Sequence, residues 1–138
     1  DQVYVIDEPT EQIEKVYNLK GAKGAISIAY APEEKLLFVV SQGTDNLQIL
    51  DATDGKLKAD VKVGAGPLAV VWEPVRKLAY VANRGSDSVA VVDVNGNLVA
   101  VCQPRLHRRQ GHGVEREQGT RPERSARRSH QPLRRQVI

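Results

Sequence analysis

The chain repeats itself at a fixed period. The stretch GAISIAYAPEEKLLFVVSQGTDNLQILD, from Gly24, aligns without gaps with GPLAVVWEPVRKLAYVANRGSDSVAVVD, from Gly66, and the two glycines are 42 residues apart. The opening DQVYVID also matches DNLQILD from Asp45 and DSVAVVD from Asp87. Periods of this length are typical of folds built from one supersecondary unit that buries its faces against its neighbours. The repeat is therefore the strongest constraint on the fold.

Each repeat unit consists of short apolar runs separated by Pro, Gly and Asp. In the first unit these runs are 26–30, 36–40 and 47–50, and residues 56–63 alternate apolar and charged side chains, as a half-exposed strand does. We predict four strands per unit and no helix in residues 1–100. Because one such sheet cannot bury both faces alone, we predict an all-β fold, a fragment of a β-propeller with just over two four-stranded antiparallel blades and the start of a third. A β-sandwich has no reason to repeat its loops SQGTDN and NRGSDS at a fixed period.

The alternation along these strands predicts which side chains pack between blades. We expect the following to be largely buried: Ile26, Ile28, Leu36, Phe38, Leu68, Val70, Leu78 and Tyr80. Trp72 stands where Tyr30 stands in the other unit. This equivalence favours packing of Trp72 between blades over its display as a platform for stacking bases.

One stretch carries a family resemblance. YVANRGSDSVAVVD, residues 80–93, resembles the repeat of the YVTN β-propeller family, with Ala82 in place of Thr; DATDGK (51–56) and VGAGPLAVV (63–71) are similar to that family's turn and to its connection between blades. The resemblance covers residues 1–100. It implies a seven-bladed, non-catalytic propeller exported to the periplasm or cell surface. Two blades cannot close a ring, so we expect a piece of a longer protein that self-associates through open blade edges.

The aspartates that could suggest catalysis recur once per blade. Asp51 and Asp93 end equivalent strands, where a carboxylate can accept a backbone N–H from two residues further on and hold the turn. We predict the same role in their tight loops for Asp45 and Asp87. Acid–base catalysis needs two carboxylates in different environments within one cleft, whereas these recur in equivalent environments on successive sheets. No catalytic residue is therefore predicted.

The glycines and one arginine of the loops have different predicted roles. Gly43, Gly85 and Gly66 are predicted to be turn residues. No phosphate-binding loop is predicted at Gly21, Gly24, Gly64 or Gly66, because no Gly-Lys-Ser/Thr motif follows a strand and no helix is expected to receive a phosphate. Arg84 occupies the loop position that Gln42 holds in the other unit, while the Gly and the Asp of the loop stay fixed. Because loops carry specificity on such scaffolds, Arg84 is the candidate for contact with a ligand.

The last part of the chain differs sharply from the rest. Residues 101–138 carry ten Arg and three Glu, whereas residues 1–100 carry ten Lys or Arg against fourteen Asp or Glu. One interpretation is an arginine-rich arm that binds nucleic acid, with an affinity that depends on salt. The other is a coding sequence read in a shifted frame, because the codons of residues 130–136 permit T-S-L-Y-V-V-K, which is similar to KLAYVAN at 77–83, and the codons of 137–138 permit a stop.

Cys102 and all three His also lie in this tail, at spacings that fit no zinc finger. No metal ligand and no cofactor is predicted, and no apolar run is long enough to span a membrane. We predict a non-catalytic binding or scaffolding module in the periplasm or at the cell surface, whose partner is an unknown protein or small ligand. Two alternatives stay open: a nucleic-acid-binding protein that uses the basic tail, and the propeller portion of a cofactor-binding redox enzyme, for which residues 1–100 lack His, Cys and Met ligands.

Overall fold

The computed structural model of the protein describes residues 1–105, and strands and turns account for nearly all of them. No helix occurs in this part of the chain, so it contains no helical segment that could cross a bilayer. The strands are β1 Gln2–Asp7, β2 Gln12–Asn18, β3 Ala25–Ala31, β4 Leu36–Ser41, β5 Asn46–Asp51, β6 Leu57–Lys62, β7 Pro67–Glu73, β8 Leu78–Asn83, β9 Ser88–Asp93 and β10 Leu98–Cys102.

The strands form three antiparallel sheets in which strands adjacent in sequence are adjacent in space. The first sheet contains β1 and β2, the second has the order β3-β4-β5-β6, and the third has the order β10-β9-β8-β7. The second and third sheets are the two repeat units. The prediction of an all-β propeller fragment with four-stranded antiparallel blades is therefore confirmed. Strand β10 ends at Cys102, so regular structure continues past residue 100.

The first sheet is half of a blade. Strand β1 pairs with β2 as β5 pairs with β6 and as β9 pairs with β10, and the matching sequences DQVYVID, DNLQILD and DSVAVVD make β1, β5 and β9 equivalent. Within residues 1–105 the first sheet has no counterparts of β3 and β4. It thus presents only the last two strands of a blade to the second sheet.

The main core lies between the second and third sheets. We call the face of a sheet that points to the following sheet its forward face, and the opposite one its rear face. On the forward face of the second sheet, the ring of Phe38 stacks on Trp72, with 5.0 Å between centroids and 18° between planes. Trp72 therefore packs between blades, as its equivalence with Tyr30 predicted. The buried members of this core are Ala31, Leu36, Phe38, Val40, Leu47, Ile49, Val61, Val63, Val70, Ala79, Val81, Ala90 and Val92.

A smaller core joins the first sheet to the rear face of the second. Its buried members are Tyr17, Leu19, Ala22, Leu37, Val39 and Leu50. The hydroxyl of Tyr17 also donates a hydrogen bond to the carbonyl of Ala52 at 2.8 Å. Because the first sheet supplies two strands instead of four, this core covers only part of the rear face.

Two side chains predicted to be buried are exposed. Of the eight residues, three are buried, namely Leu36, Phe38 and Val70. Three more are half-buried, namely Leu68, Leu78 and Tyr80. Ile26 and Ile28 are each 49% exposed, so their predicted burial is wrong. They lie on the rear face of β3, where the first sheet has no strand to cover them. Val70, the equivalent of Ile28, is 6% exposed, because the complete second sheet covers it.

Candidate functional site

The loops between the second and third strands of each blade lie against the connectors that lead into that blade. The backbone N–H of Gln42 donates to the carbonyl of Gly24 at 2.8 Å, and that of Arg84 donates to the carbonyl of Gly66 at 2.9 Å. These loops and connectors therefore meet at one end of the sheets. We call this set of residues the loop surface: 20–24, 42–45, 63–66 and 84–87.

Two glycines of the loop surface have no room for a side chain. A Cβ on Gly43 would lie 2.9 Å from the carbonyl oxygen of Lys23, and a Cβ on Gly85 would lie 2.9 Å from the carbonyl group of Ala65. Gly66 has a φ of +59°, a backbone conformation that side chains disfavour. The repeated Gly of SQGTDN and NRGSDS is therefore needed for close approach of loop and connector.

Of the two aspartates that follow these glycines, Asp45 holds the next connector. Both have positive φ, 53° at Asp45 and 46° at Asp87. The carboxylate of Asp45 accepts the N–H of Gly66 at 2.9 Å, and Asp1, the equivalent residue of the first sheet, accepts the N–H of Ala25 at 2.7 Å. The bond of Asp45 thus reaches the following blade, which differs from the hydrogen bond within its own turn that we predicted. The connector that would follow β10 lies outside the described residues.

Asp51 and Asp93 sit at strand ends and accept hydrogen bonds from their own turns. Asp51 accepts the N–H of Thr53 at 2.8 Å, and Asp93 accepts the N–H of Asn95 at 2.9 Å and the side-chain amide of Asn97 at 2.9 Å. The backbone hydrogen bond from Thr53 lowers the pKa of Asp51 below its usual 3.8. The side-chain hydrogen bond from Asn97 lowers the pKa of Asp93 in the same way.

The carboxylates of one blade do not converge on a cleft. Asp45 precedes β5 and Asp51 ends it, and a strand of this length separates them by about 20 Å. Among residues 1–105, no group of three or more His, Cys, Asp or Glu is placed to hold a metal ion. Of the tail, the structure describes residues 101–105, in which Cys102 is exposed at the end of β10. The three His lie in residues 106–138, outside the described part of the chain, so the arginine-rich-arm, shifted-frame and zinc interpretations stay predictions.

Arg84 lies at the rim of a cleft of about 490 Å³ on the forward face of the third sheet. The lining residues are Leu68, Ala82, Asn83, Arg84, Asp87, Ser88, Val89, Cys102, Gln103 and Pro104. In the second sheet the equivalents of Ala82 and Val89 are Val40 and Leu47, which are fully buried in the main core. The cleft is therefore the surface onto which a further sheet would pack. The side chain of Arg84 is exposed at the loop end of this surface.

A buried polar cluster between the first and second sheets was missed by the sequence analysis. Gln48 is 1% exposed and Asn46 is 2% exposed. The amide of Gln48 donates to the carbonyl of Lys20 at 2.6 Å and to Asp60 at 2.9 Å, and the amide of Asn46 donates to Asp60 at 2.8 Å. The cluster ties the connector before β3 to the second sheet. Its signal in the sequence is a Gln inside the apolar run LQIL.

Four-stranded antiparallel sheets that repeat along the chain, pack face to face and gather their loops at one end define part of a β-propeller. The sequence profile of the family described as "Lactonase, 7-bladed beta-propeller" matches residues 3–120. The chain therefore belongs to this family of seven-bladed propellers.

Solved structures agree with this fold. The chain is similar to hydrazine synthase of Kuenenia stuttgartiensis, with 30% sequence identity and a TM-score of 0.50. The match covers 60% of this chain but only 24% of that chain. The chain therefore spans less than a quarter of the hydrazine synthase chain that it resembles. No curated protein matches the chain.

Proposed function

We propose that the chain is part of a non-catalytic propeller of the YVTN-repeat kind, which binds a protein or a small ligand through the loop surface in the periplasm or at the cell surface. The observation that carries this proposal is a loop frame that shares its Gly and Asp between blades and presents an exposed side chain that differs in charge. Gly43 and Gly85 are packed against connectors, whereas Gln42 and Arg84 are exposed and differ in charge. A rigid scaffold that presents variable loop residues is the usual arrangement for recognition.

Two arginines of the third blade allow a matched test of this proposal. Arg84 lies on the loop surface, and Arg76 is also exposed, in the turn between β7 and β8 at the other end of the sheet. The full chain is screened against arrays of peptides and anionic sugars, and each hit is measured by calorimetry with Arg84→Ala and Arg76→Ala. We expect Arg84→Ala to weaken binding by about tenfold to a hundredfold and Arg76→Ala to leave it unchanged. The proposal would be contradicted if both variants lost affinity for the ligand to the same extent, or if neither variant lost any.

The word lactonase in the family description makes lactone hydrolysis the enzymatic function to test. Hydrolysis requires a group that activates water or stabilises the developing oxyanion. The carboxylates of Asp45, Asp51 and Asp93 already accept backbone hydrogen bonds, which supports a structural role for them. We expect no proton release from γ- or δ-lactones beyond that of buffer. Acceleration by the full chain that is lost in Asp45→Ala or Arg84→Ala would contradict the non-catalytic proposal.

The similarity to hydrazine synthase favours a second candidate, the propeller portion of a larger redox enzyme. In this case the chain would itself hold part of a redox cofactor, which would copurify with it. An absorption spectrum of the purified full chain distinguishes the two candidates. A visible band that copurifies with the chain would favour the second candidate, and a spectrum of Trp and Tyr alone would favour the first.

A further inference from the structure

The turn between the last two strands of the second blade and that of the third each contain a carboxylate or amide residue followed by glycine. Asp54 precedes Gly55 between β5 and β6, and Asn95 precedes Gly96 between β9 and β10. Both glycines have positive φ, +74° and +83°. Because glycine has no Cβ, its backbone nitrogen is easily approached by the side-chain carbonyl carbon of the preceding residue. The two turns therefore offer the same reaction in different surroundings.

The turn of the second blade is held by Tyr17 of the first sheet. A Cβ on Gly55 would overlap the ring of Tyr17, so the ring lies directly on this glycine. The hydroxyl of Tyr17 donates to the carbonyls of Ala52 and Thr53 at 2.8 and 3.1 Å. The N–H of Gly55 donates to the carbonyl of Asp51 at 2.8 Å. Gly55 can therefore leave its place only if a buried side chain moves with it.

The turn of the third blade is held less firmly. The strand pairing puts Val61 of β6 in the place that Tyr17 takes in β2, and Val61 has no hydroxyl. Within the described part of the chain, residues 94–97 form hydrogen bonds with Asp93 alone. The bond from the N–H of Gly96 to the carbonyl of Asp93 is 3.2 Å long. Opening this one bond frees the nitrogen of Gly96.

Asn95 is accessible to water. It is exposed, and it lines a cleft of about 560 Å³ between the second and third sheets together with Glu34 and Lys58. Asp54, at the corresponding place in the second blade, is also exposed although the third sheet packs on that blade. A sheet that follows a blade thus leaves this position open.

We propose that Asn95 is a site of spontaneous deamidation in the folded protein. The nitrogen of Gly96 attacks Cγ of Asn95. The side-chain nitrogen leaves as ammonia, with the proton of the Gly96 N–H, and a five-membered succinimide ring closes. Water then opens the ring at either carbonyl and gives aspartate or isoaspartate, in which the backbone runs through the former side chain. One water is consumed and one ammonia is released, with no change of oxidation state.

Isoaspartate at this position changes the contact between the blades. It adds one carbon to the backbone between residues 95 and 96. A Cβ on Gly96 would lie 2.5 Å from the Cβ of Ala59 on β6, so the glycine has no room to move toward the second blade. The lengthened turn must therefore move away from β6, and the new carboxylate adds a negative charge to the cleft. The modification loosens the third blade from the second.

The test ages the full 138-residue chain and its Asp54→Asn variant, which places the same amide before Gly55. Both are incubated in mildly alkaline buffer with a thiol reductant, with and without urea. Mass spectrometry of digests locates each deamidation, and methylation by a protein isoaspartate methyltransferase detects isoaspartate. In the folded variant we expect position 54 to react about tenfold more slowly than Asn95, because opening that turn also displaces Tyr17. In urea the two positions should react at similar rates.

Asn95→Gln is the matched control for the consequence, because it keeps an exposed amide but its longer side chain closes a ring far less readily. The modified fraction of the unchanged chain, separated by ion exchange, should melt about 5 °C lower than fresh protein, and aged Asn95→Gln should melt as before. Equal rates at positions 54 and 95 in the folded variant, reaction of Asn95 only in urea, or an unshifted melting temperature would overturn the proposal. No ligand takes part, so the result is independent of the loop-surface proposal.

Discussion

Strands β3 and β7 occupy the same place in successive blades, yet their rear faces have different surroundings. Val70 of β7 is 6% exposed, whereas its equivalent Ile28 of β3 is 49% exposed. Trp72 stacks on Phe38, and its equivalent Tyr30 is 56% exposed. The residues are similar, and the difference lies in whether the preceding sheet has two strands or four. In a repeat protein the burial of a side chain is therefore decided by the neighbouring repeat.

The strongest test of this comparison is to remove Phe38, one side chain of the stacked pair, and, separately, Tyr30, the uncovered counterpart of Trp72. Phe38→Ala should lower the free energy of unfolding by about 3–5 kcal/mol, because it leaves a cavity in the main core and removes the contact with Trp72. Tyr30→Ala should change it by no more than about 0.5 kcal/mol, as expected for an exposed residue. Urea unfolding followed by circular dichroism gives both values. Equal losses would mean that β3 is covered in solution.

The loop glycines test whether the second and third blades are built alike. A Cβ at Gly43 or at Gly85 would lie 2.9 Å from the carbonyl group of the preceding connector. Gly43→Ala and Gly85→Ala should therefore each lower the free energy of unfolding by about 1–3 kcal/mol, as overpacking does. A loss of less than about 0.5 kcal/mol in one variant would show that its connector moves aside.

The loop aspartates give a smaller and more specific difference. Asp45 holds the N–H of Gly66, and in Asp45→Ala the loss of this bond should lower the free energy of unfolding by about 1 kcal/mol. Asp87→Ala is the matched variant, because its φ is also positive and the backbone cost of the substitution is shared. We expect the larger loss for Asp45→Ala in thermal unfolding. A larger loss for Asp87→Ala would indicate that Asp87 holds a connector beyond residue 105.

The smallest expected effect is the pH dependence that the strand-end aspartates contribute. The pKa of Asp51 and that of Asp93 are both lowered in the folded chain by hydrogen bonds from their turns. The folded state therefore binds these protons more weakly than the unfolded state, so the stabilisation is present above the usual value of 3.8 and is lost as the pH falls through the lower folded pKa values. Below the usual carboxylate pKa, the free energy of unfolding should depend less steeply on pH in Asp93→Asn than in the unchanged chain. An unchanged slope would contradict this assignment.

Sequence periodicity predicted the strands, the blade repeat and the positions of the turns, because alternation and turn residues are local signals. The exposure of Ile28 could not be predicted in this way, because it depends on which strands the preceding sheet contains. The hydrogen bond from the N–H of Gly66 to Asp45 joins residues 21 positions apart, and no local turn rule finds it. Gln48 could have been found, because an amide inside an apolar strand must meet a hydrogen-bonding partner when it is buried.

The hydrogen bond from the N–H of Gly66 to Asp45 also gives the assembly of the blades a direction. The acceptor belongs to the earlier blade and the donor to the start of the later one, and Asp1 and Ala25 are arranged in the same order. Synthesis on the ribosome proceeds from the N-terminus, and a folded segment can form while the rest is still being made. Each loop is therefore synthesised before the residue whose N–H it binds. A nascent chain can therefore add its blades one at a time, each started by an acceptor already in place.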